Sequence, residues 1–372
     1  MNRVIFIVHF QPPEKYPPVV NLCRYMASQK QPDCELHLLT THPGRGKLLT
    51  PLDGVQVHRL GTWKPRSRWQ RLIFYYLFNL RSFWLLLRRR PRHVLYFETL
   101  SAFGPWLYKK WINREARLYI HYHEYTSPEE YRNGMALNKW LHKKEKQLYP
   151  LADWVSHTNA DRLEMFLKDN EGIKFSNPTL MPNYPPASWS ERSWSVKKNE
   201  EQQIGFVYVG ALSLQTMYTR HMAQFVAANA GKCYWHIFSD NHDKDALEFL
   251  QQLNAPNIEF RGSIPYDKLP EVLPAYDIGV IMYNGSTLNY RYNAPNKFFE
   301  YVNCGLNVWF AQDMLGLQSY INKEGRPWVH SVDFNNMQLP SLSDVRRNAE
   351  HGTVYTAESV YNKLWLHINS MS

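Results

Sequence analysis

Short apolar runs alternate with longer amphipathic segments along the first half of the chain. The apolar runs predict strands at residues 4–9, 35–41, 55–60, 93–97, 116–121 and 152–158. The amphipathic segments predict helices at residues 19–28, 66–89, 101–112, 137–149 and from residue 159 onward. Strands that alternate with helices favour a parallel sheet with both faces covered.

The second half repeats this alternation after a polar stretch. Strands are expected at residues 204–209, 234–238, 258–260, 277–282 and 308–310, and helices at 218–229, 245–253, 269–275, after residue 295 and at 357–369. Prolines, serines and charges between residues 188 and 203 indicate an interdomain linker. We therefore predict an N-terminal domain over residues 1–184, a C-terminal domain over 185–355 and a final helix, 356–372, that packs across the domain boundary.

The size of the chain agrees with two α/β domains, and its composition favours certain classes of binding partner. A chain of 372 residues is longer than a domain with a single hydrophobic core usually is. The net charge of +10 favours anionic partners such as phosphates, acidic membranes or nucleic acid, without choosing among them. Four scattered cysteines in no metal-ligand spacing indicate free thiols. Because no leader pattern and no uncharged apolar run of ~18 residues occurs, we expect a cytoplasmic protein.

The segment from Asn293 to Gly305 carries the most specific chemistry. Pro295 and Asn296 open a predicted helix between two strands, and a helix start of this kind is a ready site for a phosphate group. Lys297 supplies a cation, and Glu300 supplies a carboxylate that could hold the hydroxyls of a sugar. This combination suggests a nucleotide-sugar site. An exposed helix face, or an intrahelical pair of Lys297 with Glu300, is the alternative.

Several segments, in chain order, resemble those of nucleotide-sugar-dependent glycosyltransferases of the family 4 or group 1 type. The matching segments are Leu151-Ala152-Asp153-Trp154-Val155-Ser156, Met181-Pro182-Asn183, Phe206-Val207-Tyr208-Val209-Gly210, Asn257 to Gly262, Tyr276 to Val280, and Pro295 to Tyr301 with Gly305. The resemblance implies the GT-B fold, in which two Rossmann-like domains face each other across a cleft. It also implies a nucleotide diphosphate sugar as donor, a glycan or lipid-linked acceptor in surface polysaccharide biosynthesis, and no cofactor.

The chain departs from the family pattern at three places. Retaining members often carry two glutamates with seven residues between them, and the first of these falls on Tyr292 here. No basic residue follows Gly210 closely, and Tyr16-Pro17-Pro18 stands where the first loop usually has paired glycines. The stereochemical outcome of transfer is therefore left open.

By this resemblance the donor would be held in the second domain. Glu300 would accept hydrogen bonds from the ribose hydroxyls, and Lys297 would neutralise the diphosphate as the bond to the sugar breaks. The other expected donor-binding residues are Gly210, Ile264, Asn289, Arg291, Asn293, Pro295 and Asn296. Gly210 would admit phosphate to the backbone, Ile264 would lie in the nucleobase loop, and Arg291 would assist Lys297. The asparagines would bind the sugar or cap a helix, and capping is favoured for Asn293.

Catalytic candidates in the first domain lie at residues 121–125, after a predicted strand. His123 or Glu124 could act as a base or hold hydroxyls of the donor sugar, and a polar turn is the alternative. His121 and His123 lack a third ligand, so we predict no metal site there. Asp243-Lys244-Asp245 resembles a metal-binding D-x-D, but we interpret it as the charged start of a helix.

Arginines and aromatic residues are interleaved between Trp63 and Arg92. The basic residues are Arg66, Arg68, Arg71, Arg81, Arg88, Arg89 and Arg90. Such a helix could lie peripherally on an acidic membrane, at the inner face, or could be an ordinary packed helix with a basic rim. No RNA-reading motif accompanies it, and no nucleic acid partner is expected. The rival functions are a nucleotide-sugar epimerase of the same fold and a non-enzymatic basic membrane- or RNA-binding protein.

Overall fold

The computed structural model describes residues 3–29, 34–44, 49–62, 67–194, 202–322, 325, 327–346 and 354–371. The chain forms two compact units, Met1–Asn183 together with Ala357–Ser372, and Tyr184–Thr356. Each unit is an α/β structure built on one parallel sheet, as the alternating pattern predicts. The sequence predicts boundaries at residues 184/185 and 355/356, and the two units divide at residues 183/184 and 356/357.

The first unit contains a seven-stranded parallel sheet. Its strands are β1 (Arg3–His9), β2 (Cys34–His42), β3 (Val55–Thr62), β4 (His93–Phe97), β5 (Arg117–Tyr122), β6 (Trp154–His157) and β7 (Pro178–Leu180). Their order is β3-β2-β1-β4-β5-β6-β7. Ile5 pairs with Leu36 on one side and His93 on the other. The central strand β1 is buried over Ile5–Val8 because helices cover both faces of a parallel sheet.

Six helices of this unit connect the strands. They are α1 (Pro17–Ser28), α2 (Arg68–Arg89), α3 (Phe103–Leu107), α4 (Pro128–Asn133), α5 (Ala136–Glu145) and α6 (Ala160–Asp169). Local signals fix several starts. The Ser67 side chain forms a capping box with Gln70 at the start of α2, and Asn159 Oδ1 accepts a hydrogen bond from the Arg162 amide at 2.9 Å at the start of α6.

The second unit contains six parallel strands. They are β8 (Ile204–Val209), β9 (Cys233–Phe238), β10 (Ile258–Phe260), β11 (Ile278–Ile281), β12 (Asn307–Ala311) and β13 (Val329–Val332). Their order is β10-β9-β8-β11-β12-β13. This is the doubly wound order whose direction reverses between β8 and β11. In open α/β sheets, ligands bind beyond the carboxyl ends of the strands at such a switch point.

The remaining helices belong to the second half of the chain. They are α7 (Ser188–Trp194), α8 (Thr219–Ala228), α9 (Lys244–Leu253), α10 (Leu269–Val272), α11 (Leu288–Arg291), α12 (Asn296–Asn303), α13 (Leu342–Arg346) and α14 (Ala357–Ser370). The last helix, α14, groups with the first unit. It packs against α1, where the Tyr361 hydroxyl donates to the Pro18 carbonyl at 2.9 Å.

Several elements differ from the sequence-based expectation. The helix expected at residues 101–112 is a 3-10 turn at Thr99–Ser101, then α3, then a π-helical turn at Tyr108–Ile112. The helix expected at residues 137–149 ends at Glu145, and Pro150 falls in a separate 3-10 turn. The expected linker is wrong at its start, because residues 188–194 form α7 and Trp189 is buried in the core of the second unit.

Candidate active site

The site in the second unit begins at the carboxyl end of β8. Gly210 follows Val209 there with a φ of 137°, a conformation that favours glycine. A Cβ atom at Gly210 would lie 2.1 Å from Cε of Lys297. The lysine side chain therefore crosses directly over the glycine backbone, and any larger residue at position 210 would displace it.

The helix that carries Lys297 begins as the sequence suggests. Pro295 is the residue before the first turn of α12, with an extended backbone and no side-chain capping hydrogen bond. The capping role expected for Asn293 is therefore wrong at this helix. Backbone N–H groups in the first turn of a helix have no intrahelical partner and attract anions. Lys297 stands in that first turn.

Glu300 lies one turn further along α12 and is buried, with 2% of its surface exposed. Its Oε1 accepts a hydrogen bond from Nδ2 of Asn296 at 2.8 Å. Burial raises the pKa of Glu300 to about 7, and Lys297 and Asn296 oppose that rise. An exposed helix face, the alternative left open by the sequence, is excluded by this burial.

Tyr301 fixes α12 on the sheet, a role that the sequence analysis missed. Its hydroxyl accepts a hydrogen bond from the Val209 amide at 3.1 Å. A Cβ atom at Gly279, in the neighbouring strand β11, would lie 2.3 Å from the Tyr301 ring. Glycine inside an apolar strand often marks such a close approach, so Gly279 was the available signal. The result places Lys297 and Glu300 beside the switch point between β8 and β11.

The other predicted donor residues lie on several elements of the second unit. Asn289 and Arg291 lie on α11, whose first turn is capped by Thr287, and the Arg291 side chain is exposed. Ile264 follows β10 and packs against the core of the second unit. Pro295 is buried at the start of α12. Lys297 lies over Gly210, and Asn296 donates a hydrogen bond to Glu300.

His123 of the first unit lies just after β5 and is buried. Its ring stacks on Phe97 at a centroid distance of 5.2 Å and meets His9 edge-on at 6.1 Å. Nδ1 lies 3.3 Å from Oδ1 of Asn183. Burial lowers the pKa of His123 to about 4, so its imidazole is neutral at pH 7. A neutral imidazole can accept a proton or share hydrogen bonds with a hydroxyl.

Two further residues beside His123 were missed by the sequence analysis. Glu98 Oε1 accepts hydrogen bonds from the amides of His123 at 2.6 Å and of Glu124 at 3.3 Å. Glu98 has a φ of 62°, a strained value for a non-glycine residue. Burial and then Glu124 raise the pKa of Glu98 to about 8. His9, at the end of β1, is buried with neither ring nitrogen hydrogen-bonded within the described residues.

Metal-like motifs in the sequence take other roles. Nδ1 of His121 lies 2.9 Å from the Ser156 hydroxyl, inside the sheet. Asp243 precedes the first residue of α9, which confirms its interpretation as the start of a helix. Over the residues that the structure describes, no group of three or more His, Cys, Asp or Glu side chains is arranged to hold a metal ion.

Comparison with known proteins identifies the fold. No protein-family model and no curated protein sequence matches the chain. A sucrose-phosphate synthase from Thermosynechococcus elongatus superposes with a TM-score of 0.67 at 14% identity, covering 100% of both chains. The lipopolysaccharide outer core galactosyltransferase WaaB, in its apo form, gives 0.54 at 14% identity over 99% of this chain and 90% of its own.

The chain has a GT-B fold. A structure described as a putative UDP-N-acetylglucosamine 2-epimerase from Listeria monocytogenes also superposes, with a TM-score of 0.61 at 11% identity over 100% of this chain and 97% of that one. Transferases and an epimerase therefore share this GT-B fold, and the fold does not choose between the two reactions.

Helix α2, in the first unit, is apolar on two faces, of which one is buried and the other exposed. Its inner face is buried through Tyr75, Phe78, Leu85 and Leu86. Its outer face is also apolar, through Trp69, Ile73, Tyr76, Leu80, Trp84 and Leu87, all exposed. These residues follow one another at intervals of three or four, which places them in one stripe. Trp63 and Arg66 lie outside the described residues.

Arginines border this outer stripe. The Arg81 and Arg88 guanidinium groups lie 4.8 Å and 5.4 Å from the centre of the Trp84 ring. No acidic residue occurs between Ser67 and Arg92. Among the helices that the structure describes, none combines the length and the hydropathy of a membrane span.

Proposed function

We propose that this protein is a glycosyltransferase that moves a sugar from a nucleotide diphosphate sugar to a glycan or lipid-linked acceptor in surface polysaccharide biosynthesis. The observation that carries the proposal is the placement of Lys297 over Gly210, with the buried carboxylate of Glu300 one turn further along α12. The GT-B likeness to a sucrose-phosphate synthase and to a lipopolysaccharide galactosyltransferase supports it.

The donor chemistry follows from α12. Lys297 and the N-terminal amides of the helix would hold the diphosphate, and Glu300 would accept hydrogen bonds from the ribose. Negative charge on the diphosphate grows as the bond to the sugar breaks, so a cation fixed beside it lowers the barrier. This role for Lys297 makes the proposed reaction independent of a metal ion.

The first unit would bind the acceptor and contribute His123. At pH 7 its neutral imidazole can accept a proton from an acceptor hydroxyl or hold a hydroxyl of the donor sugar. Glu124 is exposed next to it in the chain and is the second candidate for these roles.

A screen of nucleotides and nucleotide sugars by thermal shift tests the proposal. The correct donor should raise the melting temperature, since a ligand of the folded state stabilises it. With that donor, Lys297→Ala should lower turnover more than donor affinity, while Lys232→Ala, at an exposed lysine of the same unit, should change neither. A loss for Lys297→Ala that is confined to affinity would contradict its role in the leaving step.

The epimerase remains the second candidate because an epimerase shares the fold. Incubation with the donor alone separates the two reactions. An epimerised nucleotide sugar would favour the epimerase, and donor that changes only when an acceptor is added would favour the transferase. If no nucleotide raises the melting temperature and the protein binds acidic vesicles or RNA, the result favours a non-enzymatic membrane- or RNA-binding protein over both enzymes.

We further propose that the outer face of α2 binds an acidic lipid surface, which would place the protein at the inner face of the membrane. The stripe from Trp69 to Leu87 is apolar, arginines flank it, and the segment from Ser67 to Arg92 contains no acidic residue. Such a helix lies in the headgroup layer, with apolar side chains inserted and cations on anionic lipid. This location suits an acceptor carried on a lipid.

Vesicle sedimentation tests this surface. Vesicles that contain phosphatidylglycerol should bind the protein, and vesicles of phosphatidylcholine alone should bind it much less. Ile73→Ser combined with Leu80→Ser should weaken binding by about tenfold or more, since each side chain loses apolar burial. Leu366→Ser, at an exposed leucine of α14, is the control. Equal vesicle binding by the wild type and the Ile73→Ser/Leu80→Ser variant would show that the stripe does not contact the lipid.

A further inference from the structure

A tyrosine stands between two pairs of prolines where β1 passes into α1. Pro12 and Pro13 are buried in the connecting loop, and Pro17 and Pro18 are the first residues of α1. Because a proline ring fixes φ at about −65°, this segment loses little conformational freedom when it folds. Tyr16 lies between the two pairs, and its amide donates a hydrogen bond to the Pro13 carbonyl at 2.8 Å. The backbone of Tyr16 is therefore held in one place.

Side chains from the neighbouring strands anchor the same loop. The Thr40 hydroxyl, on β2, donates to the Gln11 carbonyl at 2.7 Å. The Arg59 guanidinium, on β3, donates to both oxygens of the Glu14 carboxylate, at 2.6 Å and 3.2 Å. A two-point pair of this kind fixes geometry as well as adding stability. The loop thus presents the Tyr16 ring from a backbone that is tied to the sheet.

The Tyr16 ring lies against two imidazoles at the carboxyl ends of the strands. It meets His9 edge-on at a centroid distance of 4.7 Å, and it lies 5.6 Å from the His123 ring at an angle of 36°. The other rings that contact His123 are His9, Phe97 and His121, and each is 1% exposed. Tyr16 is partly exposed. Within this cluster of rings, Tyr16 is therefore the one that separates His123 from water.

Exclusion of water outweighs local charge at His123. The titratable and charged groups around it are His9 of β1, Glu98 after β4, His121 and Glu124 at the end of β5, and Arg162 of α6. Burial is the largest cause that lowers the pKa of His123 to about 4, the hydrogen bond with Asn183 opposes it, and Arg162 adds to it. Burial, and then Glu124 and Glu98, raise the pKa of the Tyr16 phenol, so Tyr16 brings no charge at pH 7.

We infer that Tyr16 is a positioning residue, whose ring holds the His123 imidazole in one orientation and keeps water away from it. The inference rests on the proposed transferase function, in which a neutral His123 accepts a proton or holds a hydroxyl group. Phe97 stacks on the imidazole and Asn183 lies 3.3 Å from Nδ1, and Tyr16 completes this enclosure. Tyr16 acts through His123 and takes no part in the chemistry itself.

Hydrogen–deuterium exchange at the C2 position of histidine, measured by mass spectrometry on the full chain, tests the inference. This exchange reports the pKa and the water accessibility of each imidazole. In Tyr16→Ala the pKa of His123 should rise from about 4 by about one pH unit or more, because water favours the charged ring. Its exchange should also become faster. Tyr16→Phe keeps the ring and should preserve the wild-type pKa of His123.

Two further variants separate this effect from a general loosening of the unit. Tyr25→Ala removes a ring of α1 that packs on Tyr361, and it should leave the pKa of His123 unchanged. Tyr16→Leu keeps apolar bulk and should give a smaller rise, which can still be measured if Tyr16→Ala does not fold. The inference is overturned if the pKa of His123 stays at its wild-type value in the Tyr16 variants that fold, or if Tyr25→Ala raises it equally.

The pH dependence of turnover connects the effect to the reaction. With the donor found by the thermal-shift screen, the acid limb of turnover should move to higher pH in Tyr16→Ala, because His123 would then be protonated at higher pH. If the pKa of His123 rises and the acid limb does not move, Tyr16 shields His123 but His123 is not the base of the proposed reaction. The exchange measurement itself needs no donor, so its result does not depend on the assignment of the donor to α12.

Discussion

The two units carry polar sites of different construction. In the second unit, Lys297 and Glu300 come from one helix, and the Lys297 side chain lies over Gly210 at the end of β8. In the first unit, His9, Glu98 and His123 come from the ends of three strands and are held together by burial. The arrangement in the second unit is local and sets the cation Lys297 beside a buried carboxyl. The arrangement in the first unit is a long-range cluster, in which burial shifts the pKa values of His9, Glu98 and His123 toward the neutral forms. We therefore expect the second unit to bind the charged donor.

The largest expected effect is that of Glu300→Ala on donor binding. If two ribose hydroxyls donate to this carboxylate, the loss of two charge-assisted hydrogen bonds of ~1.5–3 kcal/mol each should weaken nucleotide-sugar affinity by ~100-fold or more. Titration calorimetry measures this change. Glu248→Ala, at an exposed glutamate of α9, is the matched control. If Glu300→Ala binds the nucleotide sugar with the affinity of the wild type, the Glu300 carboxylate does not contact the donor.

Gly210→Ala should have the next largest effect on donor affinity. Together with a control glycine, it distinguishes the effect of displacing Lys297 from the effect of backbone strain. Alanine at a φ of 137° is strained, and its Cβ would also displace Lys297. Gly231→Ala is the control, because Gly231 has a φ of 82° but no atom within 4 Å of a new Cβ. Thermal denaturation should show a loss for both variants. Donor affinity should fall by about tenfold only for Gly210→Ala, and equal affinities would show that Lys297 does not depend on Gly210.

The pH dependence of donor affinity should be smaller and should come from Glu300. With a pKa of about 7, the carboxyl loses its proton between pH 6 and 8. An ionised carboxylate accepts stronger hydrogen bonds than a protonated one, so affinity should rise several-fold as pH rises through 7. A nucleotide sugar, which has no terminal phosphate to titrate, is the ligand to use. Glu300→Gln should flatten the profile, and an unchanged profile would assign the titration to another group.

The smallest effect should be that of Glu98→Gln in the first unit. With a pKa of about 8, Glu98 is mostly protonated at pH 7, and glutamine still accepts from the amides of His123 and Glu124. Denaturation at pH 7 should differ little from wild type. Glu98→Ala should cost ~1–3 kcal/mol, because it leaves those amides without an acceptor. If the glutamine variant were as unstable as the alanine variant, Glu98 would be ionised and the contrast between the units would weaken.

The sequence predicted most elements of the second unit because their signals are local. Apolar runs give β8 and β10 to the residue, and Pro295 and Asn296 mark the start of α12. Lys297 and Glu300 lie one turn apart, so spacing alone relates them. Even here the strand β13, of four residues, and the helix α13, of five, were not predicted.

The first unit shows what the sequence could not predict. The approach of Glu98 to His123 depends on strand order and on a positive φ at Glu98, and neither has a local signal. The same holds for His157 at the end of β6, whose ring packs on Tyr122 of β5 and Phe166 of α6. Burial decides the protonation of these groups, and it is known only once the sheet is assembled.

Hydrogen exchange of the full chain, with and without the nucleotide sugar found by the thermal-shift screen, tests the central claim most directly. Slower amide exchange is expected in the peptides that cover residues 209–212 and 294–304, with little change in α9. Protection that falls elsewhere in the second unit, or only in the first unit, would contradict the assignment of the donor to α12.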